Sequence, residues 1–73
     1  MAEEQTVFIQ TPHIRLDALM KFSGIAQTGG EAKMMIQAGE VSVNGEISHM
    51  RGKKCQPGDR IEVSGVRISI AKG

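Results

Sequence analysis

Tryptophan and tyrosine are absent from this chain, and the aromatics are Phe8 and Phe22 alone. That shortage argues against modules that hold single strands on platforms of stacked aromatic rings. Cysteine occurs once, at Cys55, so no intrachain disulfide can staple the fold. Cys55, His13 and His49 show no paired ligand spacing, and no metal site is expected. No run approaches the roughly 20 apolar residues of a membrane helix. The first residues, Met1 to Gln5, are polar and acidic rather than basic-then-apolar, so no signal peptide is read and a cytosolic address is expected. Paired carboxylates, a Ser-His-Asp set and a Cys-His pair are all missing. No catalytic residue, small-molecule substrate or cofactor is therefore expected, and the protein is not read as an enzyme.

What remains is a short chain of ordinary globular composition. Of its 73 residues 40% are hydrophobic and 23% charged, enough apolar material for one small core and too much for a wholly disordered chain. One domain over residues 1–73 is expected, as a monomer, with residues 1–5 as a tail. The net charge of +1 conceals a segregation. Between His49 and Arg60 the chain carries Arg51, Lys53, Lys54 and Arg60 against Asp59 alone, while the remainder is net acidic. A local basic patch can therefore exist on a nearly neutral protein.

The hydrophobic period changes along the chain. Thr6–Gln10 is rich in β-branched and aromatic residues and predicts a short strand, interrupted by Thr11-Pro12. Leu16, Leu19, Met20 and Ser23 then follow a helical stripe that Gly24 ends. Thr28-Gly29-Gly30-Glu31 is a capping box, and Ala32, Met35 and Ile36 continue a second helix over about 29–38, with Gly39 as its stop. Beyond it the period becomes two. Val41 and Val43 lead into Asn44-Gly45, a hairpin signal, with Glu46-Ile47-Ser48 returning. Pro57-Gly58-Asp59 marks another turn, and a last hairpin is expected around Ser64-Gly65, between Ile61 and Ile70. The fold class is α+β: two short helices packed on a small, mostly antiparallel sheet.

Taken together, Arg15-Leu16-Asp17, Gly24, Thr28-Gly29-Gly30-Glu31-Ala32-Lys33, Ile36, Gly39, Val41-Ser42-Val43-Asn44-Gly45 and Pro57-Gly58-Asp59-Arg60-Ile61 resemble the RNA-binding domain first recognised in ribosomal small-subunit protein S-four. The Thr28–Lys33 and Arg51–Lys54 segments look most like its stand-alone bacterial versions, the YbcJ and YaaA type. The resemblance implies the alpha-L RNA-binding motif, two helices on a small curved sheet, and binding of structured RNA through the helix pair and adjoining loops. It further implies ribosomal RNA or a ribosome-assembly intermediate as target. Many relatives place an arginine directly after the Ser or Thr that starts the second helix; here that position is Gly29, which shifts the expected weight toward Lys53 and Lys54.

Each candidate has a plainer alternative. Thr28, Gly29 and Gly30 can offer uncovered backbone amides to a phosphate, or the glycines can simply let the two helices pack closely. Lys21 and Lys33 can be solvated, or can lie on one surface with those amides and with Arg15. Arg51-Gly52-Lys53-Lys54 can be a solvated loop, or a dense cationic run whose glycine lets a partner approach. Cys55 and the methionines Met20 and Met35 read as core. The functional reading is a non-enzymatic RNA-binding module using Arg15, Lys21, Thr28, Gly29, Gly30, Lys33, Arg51, Lys53 and Lys54. The alternative is a protein–protein adaptor that uses a sheet edge.

Overall fold

The structure is a computed structural model that describes residues 3–73. In chain order it contains β1 (Glu3–Ile9), β2 (Ile14–Arg15), α1 (Leu16–Phe22), α2 (Gly29–Gln37), β3 (Val41–Val43), β4 (Glu46–Ile47), β5 (Lys54–Cys55), β6 (Arg60–Val63) and β7 (Val66–Lys72). Five strands form one sheet in the order β1-β7-β6-β3-β4, and β2 pairs with β5 in a separate antiparallel ladder. Within the large sheet only β1 and β7 run parallel.

Alternation decides which side of the sheet is covered. Val7 and Ile9 of β1, Val41 and Val43 of β3, Ile61 and Val63 of β6, and Ile68 and Ile70 of β7 are buried, and their neighbours in sequence are not. The helices close over that face with Leu16, Leu19 and Met20 from α1 and Ala32 and Ile36 from α2, all in one core cluster. Met35 packs against the cluster, whereas Met34 is exposed. No polar or charged side chain is buried among the described residues, so the side chains of the core contribute through apolar burial.

The turns follow their residues. Asn44 and Gly45 both have positive φ, as do Ser64 and Gly65, the requirement of the two-residue turn whose twist matches that of the strands. The Asn44 side chain is also latched: its amide donates to Asp59 Oδ1 at 3.1 Å and its oxygen accepts from the Arg60 amide at 3.0 Å. At α2 the Thr28 hydroxyl accepts from the Glu31 amide at 3.1 Å, a capping bond worth about 1 kcal/mol. The return bond of a full capping box is not formed among the described residues.

One expectation is corrected. Glu3–Gln5, expected in a tail, begin β1: the Glu3 amide donates to the Gly65 carbonyl at 2.9 Å, and Gln5 stands opposite Ile68. Their polarity reflects an edge strand with one face in water rather than an unpaired segment. Met1 and Ala2, the rest of that expected tail, lie outside the described residues.

Cys55 is fully buried and free. Burial, aided by the Asp59 carboxylate and opposed by Lys53, pushes its thiol from the ordinary 9.0 up to about 11. A raised pKa keeps the folded state protonated where the unfolded chain has already ionised. Stability is thus intact below 9.0 and declines as pH rises toward about 11. Denaturant titrations across that window should show a steeper decline for the wild type than for Cys55→Ala. Parallel slopes would place the thiol in water.

Candidate nucleic-acid interface

The basic residues are gathered by backbone hydrogen bonds that join distant parts of the chain. The first amides of a helix have no partner within it. In α1 two of them are satisfied from the Arg51–Lys54 segment: Leu16 N–H donates to the Lys53 carbonyl at 2.9 Å and Asp17 N–H to the Arg51 carbonyl at 3.1 Å. The β2–β5 ladder continues the tie, setting Arg15 opposite Lys54 and Ile14 opposite Cys55. The start of α1 and the densest basic run thereby become one structural unit. Arg51, Lys53 and Lys54 all remain exposed within it.

Arg15 is exposed beside this unit, and its guanidinium donates to Asp17 Oδ2 at 3.1 Å. At the surface such a pair contributes little stability, but it restricts where the guanidinium points. Lys21, in the last turn of α1, is exposed, and its charge complements the helix dipole. Arg15, Asp17, Ala18, Lys21, Phe22 and Gly29 line a single open concavity between α1 and the start of α2. Lys33 is half-buried, three and four residues after Gly30 and Gly29, and so on their face of α2. Of the nine candidates, Arg15, Lys21 and Gly29 thus share one hollow, with Gly30 and Thr28 adjacent in sequence. Arg51, Lys53 and Lys54 border Arg15 through the ladder and the helix tie.

The glycines bear on the close-packing alternative for this region. A Cβ built on Gly29 would meet nothing within 4 Å, and one on Gly30 only Thr28 Oγ1 at 3.9 Å. Neither glycine is therefore required for close packing of the helices. Gly52 is similar: its Cβ would approach only the Arg15 guanidinium, at 3.8 Å and beyond. At all three positions a methyl group would fit the isolated protein.

Two features of the region have no signature in the sequence. The β2–β5 ladder is two residues long on each side, too short to give a periodic signal. The tie between α1 and the Arg51–Lys54 segment is a backbone contact and leaves no trace in residue type. Phe22, absent from the candidates, does carry a signal: it lies off the Leu16–Leu19–Met20 stripe and so has to emerge on the outer face. Elsewhere on the surface, Arg67 pairs with Glu4 at 3.2 Å and Glu62 at 3.7 Å on the sheet face away from the helices. No helix of the described residues is long and apolar enough to cross a membrane.

Known proteins share the sequence pattern and the fold. The family model described as S4 domain matches residues 7–71. A protein of Bacillus subtilis (strain 168), named probable ribosome maturation protein RlbA, is 37% identical over 59 residues, which cover 81% of this chain and 83% of that protein. The small ribosomal subunit protein uS4 of Anaeromyxobacter sp. (strain K) is 34% identical over 55 residues, covering 75% of this chain but only 26% of uS4. The solution structure of YbcJ from E. coli, described as revealing an alpha-L motif involved in RNA-binding, superposes with a TM-score of 0.68 at 24% identity. That match covers 97% of this chain and 89% of YbcJ.

Proposed function

The chain belongs to the S4 domain family, and from that premise we propose that it binds structured ribosomal RNA, or an RNA intermediate of ribosome assembly, as a single non-enzymatic module. The observation that carries the proposal is the tie of Leu16 and Asp17 to the Lys53 and Arg51 carbonyls, which joins the basic run to the helix pair. Arg15, Lys21, Lys33, Arg51, Lys53 and Lys54 neutralise phosphates, and the Thr28–Gly30 backbone receives one at the start of α2. With few aromatics, affinity comes chiefly from the backbone and shape of folded RNA. The name of RlbA, a ribosome maturation protein, supports the choice of target. Crosslinking in cells followed by sequencing of the attached RNA tests it: recovery of one structured ribosomal region is expected, and scattered recovery without enrichment counts against it.

The glycines supply a sharper test. Gly29→Ala adds a methyl group with room for it inside a helix that alanine favours, and should leave stability unchanged or raise it by about 0.4–1 kcal/mol. If a phosphate sits on that backbone, the same variant binds RNA more weakly. A gain in stability together with a loss of affinity is the expected pair of results, by denaturant titration and by RNA titration; unchanged affinity would remove the amide site from the proposal.

An adaptor reading retains one observation: β1, seven residues long, is an edge of the sheet. Pairing along an edge strand depends little on salt, whereas phosphate binding weakens steeply with it.

A further inference from the structure

Phe22 is a large apolar side chain 69% exposed, and it is exposed in a particular place. It lies outside the buried stripe of α1, and it lines the same concavity, about 510 Å³, as Arg15, Lys21 and Gly29. Ala18, one helical turn earlier on the same face, carries only a methyl group and is too short to cover the ring. Lys21 is the adjacent residue, and Arg15 is oriented by its 3.1 Å bond to Asp17. An aromatic ring is thus set among cations in one hollow at the edge of the proposed RNA surface.

That combination has a specific chemical complement. A ring face accepts a base by stacking, and cations beside it accept the phosphate of the same nucleotide. A nucleotide within a duplex cannot offer its base face, because both faces are already stacked on neighbouring pairs. A bulge, loop or junction nucleotide can. We infer that Phe22 stacks on an unpaired base of the bound RNA, with Arg15 and Lys21 holding that nucleotide's phosphates. The module therefore prefers structured RNA interrupted by an unpaired nucleotide over a continuous helix. The inference rests on the RNA-binding reading above and deepens it, since stacking selects among structured RNAs where phosphate contacts do not.

The test uses two RNA duplexes without loops that differ only in a single bulged 5-iodouridine, titrated with the full chain and with Phe22→Ala, Phe22→Leu and Phe22→Tyr. The wild type should prefer the bulged duplex by roughly 5- to 150-fold, the range expected for one base–aromatic stack. Phe22→Ala and Phe22→Leu should lose the preference and Phe22→Tyr keep it, and irradiation should crosslink the bulge to Phe22. Because Phe22 is exposed, unfolding curves of the three variants should match the wild type. Several results overturn the inference while leaving the RNA-binding reading in place: equal wild-type affinity for both RNAs, a Phe22→Ala loss equal on both, or full preference in Phe22→Leu, which marks a simple apolar contact. Failure of the wild type to bind either RNA in a salt-dependent manner overturns both.

Discussion

Replacing Lys53 and Lys54 together with alanine is expected to weaken binding to every structured RNA and to change its salt dependence. If Arg15, Lys21, Lys33, Arg51, Lys53 and Lys54 each neutralise a phosphate, log affinity falls against log salt with a slope of roughly −4.2 to −5.4. Removing two contacts flattens that slope by up to about two units. The fold should be spared, for a reason visible in the hydrogen bonds. Lys53 and Lys54 serve the fold through their backbone, as the acceptor for Leu16 N–H and as the partner of Arg15 in the β2–β5 ladder, and alanine retains both. Their exposed side chains should contribute less than about 0.5 kcal/mol. Arg67→Gln is the matched control, a cation removed from the sheet face that the helices leave uncovered, and its slope should equal that of the wild type. Binding of the double variant at wild-type affinity and slope would reduce the basic run to a solvated loop and move the adaptor reading ahead.

Leu19→Ala should do the opposite, acting on the fold and leaving the surface chemistry alone. Leu19 is fully buried between the helices and the sheet, and truncating such a side chain costs about 2–5 kcal/mol through lost transfer energy and an unfilled cavity. A domain of this size has only ~4–11 kcal/mol in total. The variant should therefore unfold at much lower denaturant than the wild type. RNA affinity should fall in proportion to any unfolded fraction, with the salt slope of the folded fraction unchanged. A denaturation midpoint near that of the wild type would show that α1 does not pack as described. The two variants together separate loss of contact from loss of fold.

Much of this architecture is legible in the order of residues. The helical stripe of Leu16, Leu19 and Met20, the Thr28 cap and the Asn44-Gly45 and Ser64-Gly65 turns all stand where periodicity and turn chemistry put them. Each depends on residues within a few positions of one another, so the information is local. The tail expected at Glu3–Gln5 failed for the complementary reason. Those residues are strand because β7 lies alongside them, and β7 is some sixty residues away in the chain.

The candidate site divides in the same way. Residue type and spacing named the cations, the glycines and the cap as candidates, and the resemblance to the S4 domain turned them toward RNA contact. Only the tertiary structure decided that Arg15 and Lys54 are neighbours, that the Arg51–Lys54 carbonyls finish the first turn of α1, and that Phe22 opens into the hollow holding Arg15 and Lys21. It also removed close helix packing as the reason for Gly29 and Gly30, since an added Cβ would meet nothing within 4 Å at Gly29 and only Thr28 Oγ1, at 3.9 Å, at Gly30. The physical reason is that a backbone amide or carbonyl is the same group in every residue. Which distant carbonyl satisfies a helix's first amides is settled by the packing of the core beneath them, and that packing sums contacts from the whole chain.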